Sequence, residues 1–485
     1  MVSYAACLAR LAADSPDRPA VTDDDRTLTR RELEDLADRT ARAFAASGVV
    51  SGDRVTIALR NTAGFLAAAI GCWKLGAAPA PVSWRLPRRE LDALVELTDP
   101  KIVLGCEPGT YPGRTCLPDG WEPPPTAGDD LPLADAVSDP WKAMTSGGST
   151  GRPKLILATT PGLIDPDGPP ALGMTRDGCT LVPGPLYHNG PFQWAAMSLL
   201  AGRHVVLLGR FEAAAMIRRI AEHRADMVYL VPTMMLRVWR LPETERLAHD
   251  LSSLQVVWHM GAPCPAWLKR AWIDWLGPER IWELYAGTEG QATTLIRGDE
   301  WLAHQGSVGR AVYGEMRVVG PGGEELAPGE VGEIYLRSGD SKEPAYRYIG
   351  AAARTLSDGW ESLGDMGWLD PDGYLYITDR RDDMVLVNGA NVYPAEIEAA
   401  LEEHPQVRSC AVVGLPDEEA GNRLHAIVHA EGSIEEDELH AHLRERLVTY
   451  KLPRTIEFVA EPVRDDAGKV RRSALRAART TARSG

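Results

Sequence analysis

RVTIALRNTAGFLAAAIGCWKLGAAPAPVSWRLPRRELDALVELTDPKIVLG, residues 54–105, decides the fold. Residues 54–59 carry a short strand signal. Residues 62–75 read as a helix that ends at Gly76. Residues 78–82 are apolar and punctuated by proline, 87–97 read as a helix with Pro87 at its start, and 101–105 as another strand. The order is βαβαβ, and a parallel pair of strands needs a crossover helix to cover it. The expectation is a parallel sheet with helices on its faces.

Outward from this segment the pattern pauses at 107–130, a Pro/Gly/Asp-rich surface excursion, and then resumes. A strand at 205–208, a helix at 212–223 and a strand at 227–231 form one more βαβ unit. Strands at 254–260 and 280–285 follow. Between 306 and 339 the strands are short and broken by Gly and Pro, as antiparallel hairpins are. The last hundred residues read as a separate α+β unit. Its strands are 374–378, 408–413, 423–428 and 456–459, and its helices 394–403 and 435–446. The charged run DRRDD, 379–383, precedes most of it. The Arg/Ala/Thr-rich tail after Leu475 is expected to fray. Neither an internal repeat nor a low-complexity segment stands out.

The chain has 485 residues and a formal net charge of −16. Such an acidic chain has no global field for DNA or RNA, so any anionic ligand needs a local device. Only 8 of the 52 basic residues are lysines, so each lysine in a loop is a candidate for chemistry. The 7 cysteines are scattered and never form CxxC, against a disulfide framework and a structural zinc site. The N-terminus has no apolar run flanked by basic residues, so no signal peptide is expected. No stretch is long and apolar enough for a membrane span. A cytoplasmic protein is the expectation.

TSGGSTGRPK, 145–154, gathers three glycines, four hydroxyl residues and a lysine between two strand-like runs. Glycines let backbone N–H groups turn toward an anion, hydroxyls donate hydrogen bonds, and Lys154 adds charge. That suits a polyphosphate. It is not a Walker A loop, because no GxxxxGK[ST] fits. The plain alternative is a Gly/Ser hairpin turn.

The loop resembles the phosphate loop of the adenylate-forming superfamily: acyl-CoA synthetases, peptide-synthetase adenylation domains and luciferases. Further segments resemble that family's motifs in order. They are WKLGAAPAPV at 73–82, PLYHNGP at 185–191, GAPCP at 261–265, YAGTEG at 285–290, SLGDMGWLDPDGYLYITDRRDD at 362–383, NGANVYPAEIE at 388–398 and GKVRRSALR at 468–476. The resemblance spans about residues 10–476. It implies an α/β fold. A large N-terminal domain (1–380) would hold two parallel-type sheet subdomains and a small distorted β-barrel. A small mobile α+β domain (381–485) would follow.

The resemblance also implies roles. Ser146, Gly147, Gly148, Ser149, Thr150, Gly151 and Lys154 would cradle the β and γ phosphates of ATP. Thr288 would bond the α-phosphate, and Glu289, with Thr150, would serve Mg²⁺. Asp365 would accept from both ribose hydroxyls, for which a two-oxygen carboxylate is apt, and Arg380 would donate from the other side. Gly261, Ala262 and Pro263 would lie on the adenine, with Tyr285, Ala286 and Gly287 beside it. Lys469 would reach the α-phosphate and the attacking carboxylate, where an ammonium stabilises the transition state. Its plain alternative is a solvated surface lysine. The family usually has a Thr or Ser before the Gly-Lys pair; here Ala467 stands there, and Asp465 and Asp466 are near. Asp382 would be the hinge between two half-reactions, or part of a charged linker. The loop Asn388, Gly389, Ala390, Asn391 would close for acyl transfer.

His188 would gate the acyl pocket, or be a packed histidine. Asn189, Phe192, Trp194, Met260 and Gly287 would line that pocket, with the core reading open for each Trp. The activity implied is an ATP-dependent carboxylic acid:CoA ligase that works through an acyl-adenylate, with ATP, Mg²⁺ and coenzyme A as cofactors or co-substrates. Two alternatives stand beside it. One passes the acyl group to an amine or a carrier-protein thiol. The other is a non-catalytic nucleotide-binding protein, which predicts loss of Lys469, Glu289 or Asp365; all three are present. The partners expected are a small-molecule acid and its acceptor, with a monomer or homodimer as the assembly.

Overall fold

The computed structural model describes residues 1–125, 133–147, 153–171, 173–339, 344–387, 390–417, 420–465 and 468–481. The deciding segment folds as read. Strands Arg54–Ile57, Ala78–Pro81 and Ile102–Leu104 pair in parallel, and Thr115–Leu117 extends them to four strands. The helix between the first two, Ala63–Lys74, starts where the Thr62 side chain accepts from the Phe65 N–H, a capping geometry that satisfies an otherwise orphan donor. Nearly every residue of this helix is buried, because it lies between layers rather than on a surface. Its apolar residues therefore run all round it.

The second sheet is larger, with 14 strands. Six of them run parallel: Pro19–Thr22, His204–Leu207, Cys179–Val182, Met227–Leu230, Val256–His259 and Ile281–Ala286. The direction then reverses. Thr293–Arg297 and Ser307–Tyr313 pair antiparallel, and Leu375–Arg380, Glu361–Leu369, Gly332–Arg337 and Glu315–Val319 carry the sheet onward. The two parallel regions match the expectation. The Gly/Pro-broken region was expected as antiparallel hairpins, and the resemblance implied a small distorted barrel within the N-terminal domain. Among the described residues its strands instead prolong the large sheet, with register shifts at several bulges. Bulges raise local twist, which curves a meander without closing it.

A three-stranded antiparallel sheet of Ala143–Gly147, Pro153–Ala158 and Tyr346–Ile349 stands apart. A distinct core gathers Val385, Val392, Ile397, Leu401, Cys410, Val428, Leu439 and Ile456 from the C-terminal region. It is built on strands Val407–Asp417, Gly421–Ala430 and Thr455–Val459, with helices Pro394–Glu402 and Glu436–Arg444. The tail departs from its expected fraying. Arg472–Thr481 is helical, and Arg479 donates to both oxygens of Glu457 at 2.6 and 2.7 Å. A bidentate guanidinium–carboxylate pair fixes two bonds with one side chain, which holds a helix that composition alone would not. All seven cysteines are free. Among the described residues no helix is long and apolar enough to cross a membrane.

Candidate active site

The hairpin that brackets the glycine-rich loop brings Ser146 opposite Lys154 and Gly147 opposite Pro153. Gly148, Ser149, Thr150 and Gly151 lie outside the described residues, as do Asn388 and Gly389 of the second loop. Lys154 emerges from the hairpin and meets a partner the sequence did not reveal. Its Nζ donates to Tyr348 Oη at 2.8 Å and to Glu289 Oε1 at 3.1 Å, and the Tyr348 hydroxyl donates to the same Glu289 oxygen at 2.5 Å. Lys154 also lies 4.1 Å from the Tyr348 ring centroid. Glu289 is buried, so this cluster fixes its carboxylate. Burial, with Glu289 beside it, pushes the Tyr348 hydroxyl far above its ordinary range. Tyr348 therefore stays a donor. Sequence offered no signal for it, since residues 289 and 348 meet only through pairing of the Tyr346–Ile349 strand with Pro153–Ala158.

Thr288 and Glu289 sit in a turn closed by the Gly290 N–H on the Gly287 carbonyl at 3.1 Å. A side chain at Gly287 would stand 2.3 Å from Leu363 Cδ1 and 2.9 Å from Glu289 Oε2, so it would displace both side chains. Tyr285 and Ala286 end the strand before it. The Tyr285 hydroxyl donates to Asp365 Oδ2 at 2.7 Å, and Arg380 Nε stands 3.3 Å from the other oxygen. Asp365 and Arg380 are direct cross-strand partners. The register thus builds a buried carboxylate with a tyrosine on one side and an exposed guanidinium on the other. Gly261 opens the segment after the parallel strand Val256–His259, with φ at +85°. It and Pro263 are exposed, Ala262 is half-buried, and Met260 is buried.

Lys469 arrives from the C-terminal region. Its N–H donates to Asp465 Oδ1 at 2.9 Å, and the Asp465 N–H returns a bond to the Lys469 carbonyl at 3.0 Å. One of the two acids near the unusual Ala467 therefore closes the loop that carries the lysine. Ala467 itself lies outside the described residues. Gly468 is at φ +75°, and a Cβ there would stand 2.6 Å from Thr233 Oγ1, so the loop docks tightly on the helix Pro232–Trp239. The Arg464 guanidinium donates to the Gly468 carbonyl at 3.2 Å and to Glu398 at 2.7 Å. Lys469 is exposed as a residue, but desolvation of its amine on the inner side lowers it below its ordinary value. Asp465 opposes that shift, Arg380 adds to it, and Glu289 opposes it. All these groups are close enough to be felt, so segments up to 180 residues apart in the chain come together here.

His188 is the residue before the helix Asn189–Leu200. Burial, with the Lys469 charge adding to it, lowers its imidazole to about 3. It is neutral at any working pH. A His188→Gln variant is expected to keep the shape of the parent's pH–rate profile between pH 5 and 8. Loss of an inflection near 6.5 in the variant would contradict this. Trp194 is buried against Tyr229 and Trp258, with ring centroids 5.2 and 5.7 Å away. Phe192, expected to line an acyl pocket, has no exposed surface and stacks on Trp141 at 6.0 Å. Phe192 serves the core instead.

Asp382 is exposed and stands where the last strand of the large sheet gives way to the C-terminal region. Both flanks are fastened. The Arg381 N–H donates to Gly364 O at 2.8 Å, and Asp379 accepts from Ala395 N–H at 2.9 Å at the start of helix Pro394–Glu402. Across the same boundary Arg240 donates to the Glu402 carbonyl at 2.9 Å, and Arg471 pairs with Glu90 at 2.9 Å.

Fold and site together fit an enzyme: an α/β body with a separately cored C-terminal region whose Lys469 shares its field with Glu289, Arg380 and His188. The chain belongs to the AMP-binding enzymes. It matches that family over residues 8–341 and the AMP-binding enzyme C-terminal domain over 396–469. It is thus an adenylate-forming ligase. It is 32% identical to a feruloyl-CoA synthase from an Amycolatopsis species, over 96% of this chain and 97% of that protein. It is 31% identical to a fatty acid–[acyl-carrier-protein] ligase of Streptomyces coeruleorubidus, over 96% and 94%. Its fold is also similar to o-succinylbenzoate CoA synthetase of Bacillus subtilis. With ATP and magnesium that structure gives a TM-score of 0.80 and 25% identity, over 97% of this chain and 98% of the other. With its acyl-adenylate intermediate the TM-score is 0.79, at the same identity, over 97% of both chains.

Proposed function

We propose that this protein is an ATP-dependent carboxylic acid:CoA ligase. It joins an acid to ATP to give acyl-AMP and pyrophosphate, then passes the acyl group to CoA and releases AMP. What supports this reading is the loop of Lys469, docked at Gly468 on Thr233 and near enough for Arg380, Glu289 and His188 to share the lysine's field. A lysine from the C-terminal region stands among the groups that would hold a nucleotide.

In this reading residues 1–380 bind ATP and the acid, and 381–485 form the domain that swings. Asp365, held by Tyr285, receives the ribose hydroxyls, with Arg380 beside it. Gly261, Ala262 and Pro263 take the adenine. Lys154 and the 146–151 loop hold the terminal phosphates, and Thr288 the α-phosphate. Glu289 fits Mg²⁺: it is a buried hard-oxygen donor beside the phosphate-binding lysine. An ion of this kind takes most of its ligands from phosphates and water, with one or two carboxylates from the protein. When bound, Mg²⁺ would offset charge on the leaving pyrophosphate. Lys469 stabilises the charge that builds as the carboxylate attacks, and His188, neutral, bounds the acid's site.

Asp382 then absorbs the backbone rotation between the two steps. Asp382→Pro is expected to slow thioester formation about tenfold or more, with pyrophosphate release largely retained. Rapid-quench assays of each half-reaction check it; equal loss in both would make the residue structural.

The reading is tested by pyrophosphate release with Mg²⁺-ATP over a panel of carboxylic acids, with and without CoA, and product masses recorded. A CoA thioester formed only when CoA is present supports it. Release that ignores CoA would transfer the second step to an amine or to a carrier-protein thiol, an acceptor class favoured by the acyl-carrier-protein ligase relative.

A further inference from the structure

Lys142 is 6% exposed and stands one residue before the strand Ala143–Gly147 that leads into the glycine-rich loop. A buried ammonium needs an anion or a full set of acceptors. Its Nζ donates to Asn189 Oδ1 at 2.5 Å and to Gln193 Oε1 at 3.0 Å. Both acceptors are neutral amides. An ammonium has three donors, and two are used. Its remaining neighbour is the Trp141 ring, 4.4 Å from the nitrogen. Burial alone accounts for its lowered amine, at about 7; no ionised group among the described residues bears on it. The other inward lysines differ. Lys74 has Glu34 and Asp38, Lys269 has Glu283, and Lys154 has Glu289.

The position is as telling as the missing charge. Asn189 follows His188 directly and, with Gln193, forms the half-buried face of the helix that starts at the gate. Lys142 thus reaches the first turn of the element that borders Lys469. An apolar residue would fill a plain core position at far lower desolvation cost.

We infer that Lys142, held by Asn189 and Gln193, determines substrate specificity by receiving a second oxyanion on the acid, a carboxylate or a phenolate. This rests on the ligase reading above. The substrate class is an acid with two acidic oxygen groups, one adenylated and one left free to meet the ammonium. For a dicarboxylate the bound anion favours the charged lysine, so kcat/KM falls as pH rises past about 7; for a hydroxyaryl acid the phenol supplies the proton and no such fall is expected.

The test compares matched pairs of acids with and without the second group, in dicarboxylate and hydroxyaryl sets, by pyrophosphate release. The parent enzyme is expected to prefer the doubly acidic member by about 10²-fold or more, since a buried donor left unpaired rejects the analogue that lacks its partner. Lys142→Met is expected to erase that preference and the fall above pH 7; Lys142→Arg keeps the preference and removes the fall. The set that shows the preference distinguishes carboxylate from phenolate. Equal preference in parent and Lys142→Met, or a fall near pH 7 confined to dicarboxylates that survives in both variants, overturns the inference. If Lys142→Met does not fold, the parent's pairwise preference and the arginine variant's pH profile still decide it. Activation of simple acids with no advantage to the second group sinks this inference alone, whereas no release from any acid sinks the ligase reading.

Discussion

Lys469→Ala is expected to slow acyl-adenylate formation by about 10²–10³-fold, the usual cost of one positioned donor at a charge-building oxygen. Thioester formation from supplied acyl-AMP should change by no more than about threefold, because the lysine's bonds are made in the first transition state only. The loop that carries it is built for one placement. Asp465 closes the turn, Gly468 approaches Thr233 as only glycine can, and Arg464 ties the Gly468 carbonyl to Glu398. Burial would raise the Glu398 carboxyl, but Arg464 and Arg472 outweigh it and hold it low. The anchor therefore stays charged at neutral pH. The amine of Lys469 is itself lowered, chiefly by desolvation. Its protonated form is the useful one, so the first step should weaken as pH rises through a value below that of an ordinary lysine. Lys469→Arg should push that limb upward. Equal losses in both half-reactions for the alanine variant would remove the lysine from adenylation chemistry.

Much of this was legible in the sequence, for physical reasons that differ from element to element. The βαβαβ segment is readable because strand and helix periods differ, and because Thr62 and Gly76 bracket the helix with a cap and a stop. Asp365, Glu289 and Lys469 are readable because each lies in a short motif of fixed order. Tyr348 is not readable: it belongs to an ordinary-looking strand, and only the pairing of that strand with Pro153–Ala158 brings it to Lys154. Lys142 is hidden for the opposite reason. A lone lysine before a strand looks like a surface residue until burial is known. The barrel was implied by resemblance alone: hairpin composition encodes turns but not whether a meander closes, and the described strands join the large sheet. The fraying tail failed because Glu457, the partner of Arg479, lies in a strand rather than within the tail. In each case the missing information is a long-range contact.

Glu289→Gln tests the densest of those contacts. The substitution keeps shape and removes one charge. Lys154 is then left with the Tyr348 hydroxyl and a neutral amide where it had a carboxylate. Two effects are expected, and they separate. Stability should fall by about 1–2 kcal/mol, the cost of weakening charge-assisted bonds to a largely buried carboxylate. Use of Mg²⁺-ATP should fall far more, by about 10²-fold in kcat/KM, with the magnesium dependence shifted to higher concentration. Tyr348→Phe is the control. It removes one donor to Glu289 but leaves the charge, so it should cost stability without moving the magnesium dependence. A calorimetric scan and a magnesium titration of pyrophosphate release on both variants decide the matter. If the two behave alike, Glu289 acts only through the Lys154–Tyr348 cluster and the metal must be held elsewhere. If only Glu289→Gln shifts the magnesium curve, the same oxygen that orders Lys154 in the free enzyme is the one surrendered to the ion. ATP binding then exchanges a lysine–carboxylate pair for a lysine–phosphate and a carboxylate–metal pair.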